Sequence, residues 1–436
     1  MPWLAAALAT VLTLALALSA CGSSSDSGGG ASANASGGNS TTSSSDSATT
    51  GGGDASGVKV PEVSDADFQK TTQLAYGKAL APSDFPDVAV DAYKIASQPA
   101  TPAEIDKVNA CVKAASCDTG SGGELTLGLL EPAGGENTWR KLWRAVATMQ
   151  AIRTPQIGKI LYASGEQDLT KTLAAYRSLI TQKANLIMGN MDFGDALLPL
   201  TKQAASQGIL VAPTSQTIPS ATGNGDIALD VASNLCQYGT DLATLAVKGK
   251  TSGTIALYTG AAGNPFGGAW EPCAERVVKQ AGLELQKGNT NWTPQGETQA
   301  ASALVASGKD IASVVYDYLP TNFFQKYVTL DRQPPTQAGG SASFATIPLI
   351  EQLEKKWPAW QFYQAPSQLT YASVGVTALV EKKLGADVPV HVVMPQPVVS
   401  TKEYLPYYEA NRSLPATMEF GTLLPPEVAQ TALAGS

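Results

Sequence analysis

The side chains able to do chemistry in this chain are sparse. Among its 436 residues there is one histidine, His391. It lies in the extended run Val390–Val399, where a structural role is the plain reading. A serine-hydrolase triad would need it as the base, and no G-x-S-x-G elbow accompanies it. A Walker A sequence is absent. G-x-G-x-x-G does not follow the first strand, which argues against a dinucleotide. Carboxylates and indoles remain. Asp317 closes the apolar run Ser313–Tyr316, and strand carboxyl ends face the cleft in open α/β sheets. Asp192 and Asp195 follow the run Asn185–Gly189, although Asp195 also suits a helix N-cap. Trp139 and Trp143 stand four apart, a spacing that more often marks core packing than a ligand contact. Trp270 stands ahead of a helix expected over Pro272–Ala281, and Asn234 either faces a cleft or caps the helix after it. These residues suit the binding of a solute better than catalysis, and they imply no cofactor.

Cysteines separate into two groups. Cys21 ends Leu18-Ser19-Ala20-Cys21 after the apolar stretch 3–20, which is similar to a lipobox: residues 1–20 as a lipoprotein signal, cut before a lipidated Cys21. The start Met1-Pro2-Trp3 lacks the Lys or Arg that usually opens such a signal, and 18 apolar residues can also just span a bilayer as an uncleaved anchor. Four further cysteines are an even number in an exported chain, which suggests disulfides. Four cysteines allow three connectivities. Cys111–Cys117 is favoured by proximity, with Cys236–Cys273 as a clip within one lobe. Zinc is disfavoured, because paired C-x-x-C units are missing and histidine is nearly absent; no metal is expected.

Elements must position these groups. Residues 21–57 are almost all small and polar, a flexible leash of roughly 30–35 Å root-mean-square reach. Residues 58–123 form an extension with helices expected near Asp65–Leu80 and Pro102–Ala115. From residue 124 strands and helices alternate. Leu125–Leu130, Lys159–Ala163, Asn185–Gly189 and Gly208–Pro213 read as strands. Between them lie a helix that Thr138 can cap, a second through Leu169–Ile180 and a third spanning Ala196–Ser206. A second series follows. Its strands are Thr254–Tyr258, Leu283–Gln286, Ser313–Tyr316 and Trp360–Tyr363, its helices Pro272–Ala281, Thr298–Ser307, Phe344–Lys356 and Leu369–Lys383. Such alternation predicts two doubly wound parallel-sheet lobes, an α/β protein with a cleft between them. The net charge of -8 and the lack of basic clusters argue against nucleic acid. With 44% hydrophobic and 15% charged residues the body can bury large cores.

The segments LTLGLL, EPAGGENTW, ANLIMGNMD, GILVAPTSQ, DIALDVASN, TIALYTGAAGNPFGGAW, VVYDY and VHVVMPQPVVSTKEY follow one another in the layout of a known family. From about Leu125 to Leu405 the chain resembles the type I periplasmic binding proteins, the ribose-binding-protein-like group. The resemblance implies a hinge of three crossings, near Ala232–Asn234, Tyr363–Pro366 and Val393–Pro395. It implies a first lobe of 124–232 and 366–393. The second lobe would comprise 235–363 and 396–436, the latter including the tail. It places Asn137 and Trp139 in the loop after the first strand, and Thr214 and Ser215 after the fourth, where ribose binders carry Asp-Arg. It matches Asn234 to a crossing asparagine. Asn264, Phe266 and Trp270 fall where an arginine often holds sugar hydroxyls, Asp317 matches a strand-end asparagine and Gln364 a polar residue at the second crossing. With Asp192, these are the candidate ligand-binding residues.

Amides and carboxylates meet vicinal hydroxyls in fixed geometry, and an indole can lie against a sugar's C–H face. Few Arg or Lys in these loops argues against an anionic ligand. The implied function is capture of a small neutral solute, a sugar or polyol, for the permease of an ABC importer, by a monomer held at the extracytoplasmic membrane face through its lipid alone. A sensory or amino-acid-type receptor of the same fold, and a tethered hydrolase, remain as alternatives.

Overall fold

The computed structural model describes residues 57–132, 137–221 and 223–434. The expected export signal, Cys21 and nearly all of the expected leash lie outside the described residues. Three helices come first, α1 (Asp65–Tyr76), α2 (Asp87–Ala96) and α3 (Pro102–Cys111). Ser64 caps α1, and Thr101 with Glu104 forms a capping box on α3, with Pro102 in its first turn.

The first alternation runs β1 (Ser116–Asp118), β2 (Leu125–Glu131), α4 (Thr138–Ile152), β3 (Ile157–Ser164), α5 (Leu169–Thr181), β4 (Leu186–Gly189), α6 (Leu198–Ser206) and β5 (Leu210–Pro213). A short strand β6 (Asp230–Ser233) then feeds α7 (Leu235–Val247). The second alternation is β7 (Thr254–Thr259), α8 (Pro265–Gln280), β8 (Glu284–Asn289), α9 (Pro294–Ala306), β9 (Ile311–Tyr316), α10 (Thr321–Thr329), β10 (Thr336–Gly339), α11 (Thr346–Lys356) and β11 (Phe362–Gln364). The chain closes with α12 (Tyr371–Lys383), β12 (His391–Met394), α13 (Leu405–Ala410) and α14 (Pro426–Leu433).

Two five-stranded sheets result, ordered β1-β3-β2-β4-β5 and β11-β10-β9-β7-β8. Every neighbouring pair is parallel except β1 with β3. The apolar runs of β4 and β7 are buried throughout, because helices cover both faces of a parallel sheet. β6 and β12 pair with each other, from Asp230 opposite His391 to Ser233 opposite Met394, so two of the segments crossing between lobes run side by side. The third leaves β11, whose last residue, Gln364, bridges to Val399, and enters α12. Helix α12 packs on α4, β4 and β5 and so belongs to the first lobe.

The extension belongs to the first lobe as well. Helix α2 packs against α4 and α12, and α3 against α4. The hydroxyls of Tyr76 and Tyr93 lie 2.6 Å apart, and Tyr93 donates to Thr370 at the start of α12. Arg153, just past α4, donates to the carbonyls of Ile95, Ala96 and Gln98 and pairs with Glu104. The disulfide Cys111–Cys117 joins α3 to β1. In the second lobe Cys236–Cys273 joins α7 to α8. Those helices touch at Gly239, where an added Cβ would stand 2.2 Å from the Trp270 carbonyl oxygen; only glycine allows that approach.

Four details differ from the sequence reading. Asn137, not Thr138, caps α4, accepting from the Arg140 amide. Helix α8 begins at Pro265 and carries Pro272 inside it, so the segment before Pro272 is helix rather than loop. Helices α2 and α10 and strand β10 fall in stretches where no element was expected. Finally, the tail does not stay with the second lobe. Residues 416–420 hydrogen-bond to 342–345 of that lobe, but α14 then packs on α3 and α4 of the first.

Candidate ligand-binding cleft

The carboxyl ends of the central strands of both sheets point into one cavity between the lobes, of about 90 Å³. A single water needs roughly 10–15 Å³, so the space suits a small molecule rather than a chain of sugars. Its first-lobe wall grows from β2, β4 and β5. Glu131, the last residue of β2, is wholly buried, and Arg140 from the first turn of α4 lies between two carboxylates. Arg140 Nη1 is 3.4 Å from Glu131, and Nη2 is 3.0 Å from Asp192. Asn190 donates to Glu131, and Gln216 donates to Asp192 at 2.7 Å. Burial alone would weaken the hold of Arg140 on its proton, but Asp192 and Glu131 outweigh it and raise its pKa. The guanidinium is therefore a neutralised part of the wall. Ser215, in the left-handed region at φ 64°, lines the cavity with a hydroxyl that has no hydrogen-bond partner among the described residues.

The second-lobe wall is built on Asp317, at the end of β9. Oδ2 accepts from Thr259 at 2.5 Å and from the Trp270 indole at 3.0 Å; Oδ1 accepts from the Trp292 indole at 2.9 Å. Burial pushes this carboxyl up to about 6, against the pull of those three donors. With most of its lone pairs taken, Asp317 chiefly holds two indoles in place. Trp292 lies on a tight turn, with Asn291 at φ 53° and itself at φ 51°. Its ring covers Gly260, where a Cβ would sit 1.9 Å from the indole, so the glycine is what lets the platform form. Phe266, Tyr238 and Tyr318 complete the aromatic side. The crossings close the floor. Trp139 donates to Ser367, and Gln368 donates to Gln396 and Ser233. Glu419 of the tail also faces the space.

The lobes touch across the cleft. Asn264 of the second donates to Asp192 of the first at 3.2 Å, and Tyr318 donates to Asn137 at 3.4 Å. The cleft is thus closed.

Of the eleven candidates, Asn137, Trp139, Asp192, Ser215, Phe266 and Asp317 line the cavity. The other five stand outside its lining. Thr214 is buried behind it, accepting from Trp143. Trp270 is wholly buried behind Asp317. Asn234 caps α7 on the surface. Asn264 is a latch between lobes. Gln364 is wholly buried, and neither polar atom of its side chain finds a hydrogen-bond partner among the described residues. Sequence reasoning missed Arg140, Trp292, Tyr238, Tyr318, Gln396 and Glu419. For Trp292 a signal existed: Asn291-Trp292-Thr293-Pro294 is a turn leading into a helix N-terminus, directly after a strand.

Two doubly wound lobes, joined by crossings, close on a polar and aromatic cavity of small-molecule size. Over residues 129–325 this chain matches the family model described as a periplasmic binding protein domain. Its fold is that of the type I members. A galactofuranose binding protein is similar, with 15% identity over 66% of this chain and 99% of its own, at a TM-score of 0.58. So is a solute binding protein of an ABC transporter from Bacillus halodurans C-125, solved with bound myo-inositol: 16% identity, 67% and 99% covered, TM-score 0.56. The arabinose ABC transporter component from Shewanella sp. ANA-3, bound to L-arabinofuranose, matches at 14% identity, 66% and 96% covered, TM-score 0.56. The sequence matches none of the curated proteins with which it was compared.

Proposed function

We propose that this chain is an extracytoplasmic lipoprotein that binds one small neutral polyhydroxylated solute, a sugar or polyol, and hands it to an ABC importer without turning it over. The closed cavity between the lobes carries the reading. Indole and phenyl faces line one side, amides and hydroxyls the other, and its one guanidinium is already balanced by two carboxylates. Buried hydroxyls of a ligand must each find a partner, and a neutral solute asks nothing of the charges that are already paired. An anionic ligand would have to displace Asp192 or Glu131 from Arg140. The lipobox-like tetrad at Cys21 supports the anchor. Among the described residues no helix is long and apolar enough to cross a membrane. The structural relatives with bound inositol and arabinofuranose support the solute class.

The test is a melt of the full chain against pentoses, hexoses, inositols, amino acids and nucleosides. A solute at a thousand times its Kd adds about 4 kcal/mol to the native state. One sugar or polyol should raise Tm by several degrees and be recovered unchanged. A shift with amino acids alone, or conversion of the sugar, would sink the proposal.

A further inference from the structure

The tail enters the cavity from outside the segment that carries the family match, which ends at residue 325. We propose that Glu419, on the C-terminal return, is a specificity-determining residue that contacts the ligand directly through its free carboxyl oxygen. This rests on the solute-binding reading above and adds to the cleft a wall supplied by the tail.

Three observations carry the assignment. Firstly, the return is held in place by backbone pairing. Phe344 donates its amide to the Met418 carbonyl and Ala345 to that of Ala416, both at 2.8 Å, with Glu419 opposite Ser343. The position of the side chain is therefore set by the second lobe. Secondly, Glu419 is wholly buried and lines the cavity. Its Oε1 accepts from Thr138 of the first lobe at 3.1 Å, while Oε2 has no hydrogen-bond partner among the described residues. A buried polar atom without a partner is costly, and one facing a ligand cavity is satisfied when the ligand arrives. Thirdly, the groups acting on it are the Thr138 hydroxyl and the carboxyl of Glu297, with no cation among them. Burial, foremost, and then Glu297 push its pKa up to about 8. Near neutral pH the carboxyl carries its proton, so one oxygen accepts from Thr138 and the other can donate to a ligand oxygen. The ligand class that fits is one with a hydroxyl or ether oxygen facing the tail.

Two variants of the full chain test this, Glu419→Gln and Glu419→Met. Gln keeps an oxygen for Thr138 and a donor for the cavity; Met keeps the stem and removes the polar end. Binding of myo-inositol, L-arabinose, D-fructose and D-galactose is measured by titration calorimetry. For any of them that the wild type takes up, Gln should bind within about threefold. Met should bind roughly tenfold to a hundredfold more weakly, the loss of a hydrogen bond that leaves a buried partner unmet. Equal affinity of the Met variant and the wild type overturns the inference.

If the wild type takes up none of the four, the sugar reading fails and the ligand-free melt at pH 7 decides the tail. A carboxyl kept for a ligand is a cost to the empty protein, so Glu419→Met should melt no lower than the wild type. A fall of more than about 5 °C, the mark of a structural strut, overturns it.

Discussion

At the residue scale the cleft depends on what holds its aromatic faces. Trp292 is fixed from three sides: by the left-handed turn beneath it, by the bare backbone of Gly260, and by its bond to Asp317. Replacing Trp292 with Ala removes the platform and leaves Asp317 one donor short. Affinity for the solute should fall by about tenfold or more, since a ring contact and an unmet buried acceptor each count for 1 kcal/mol or more. Binding unchanged in a folded Trp292→Ala protein, measured by calorimetry, would show that the ring only packs. The strand-end rule was enough to find Asp317 and Asp192, because the direction of a strand decides which end meets the cleft. The rule could not say that Asp317 spends its oxygens on two indoles, nor that Trp270 points to Asp317 from behind. Glu419 had no local signal at all. It is an acid in a polar tail, and only the pairing with residues 342–345 brings it to the cavity.

At the element scale most strands were legible, because β2, β4, β5, β7 and β9 are short apolar runs bounded by glycine or polar residues. Strand β10 was not, since Thr336–Gly339 (TQAG) has little apolar character and is a strand only through its neighbours β9 and β11. Helix α8 was read short because Pro272 looked like a start signal, whereas Asn264 and Pro265 already provide a cap and first turn. The disulfide Cys236–Cys273 ties α8 to α7 across 37 residues of sequence. Loop entropy alone puts its contribution at about 4 kcal/mol. A Cys236→Ser, Cys273→Ser protein should lose up to that amount in a urea titration, and Trp270, which helix α8 sets under Asp317, should loosen with it. Unchanged stability in the double variant would mean that the Gly239 contact alone holds the pair together.

For the whole molecule, the unusual electrostatic feature is a set of buried carboxyls with raised pKa. Burial, as the first cause, lifts Asp317 to about 6, Glu297 and Glu381 to about 7, and Glu419 to about 8. Each is protonated in the folded chain at a pH where the unfolded chain has already released its proton. Their contribution to stability is complete below the ordinary carboxyl range near pH 4 and is lost as pH rises through 6 to 8. Tm should therefore fall between about pH 5 and pH 8.5, and Glu419→Gln should flatten the upper part of that slope. A Tm that rises across this window would contradict the raised values.

The three-residue strand β1 has a different kind of consequence. Without it, the eight-residue β3 would be the outer rail of the first sheet, offering open amides and carbonyls to any passing strand. With it, the outermost rail on that side is three residues long, runs antiparallel to the rest and is cross-linked to α3. Copies crowded on one surface meet far more often than copies free in solution. Were copies held close together, the short, cross-linked β1 would leave them far less open edge on this side of the first sheet than a bare β3 would.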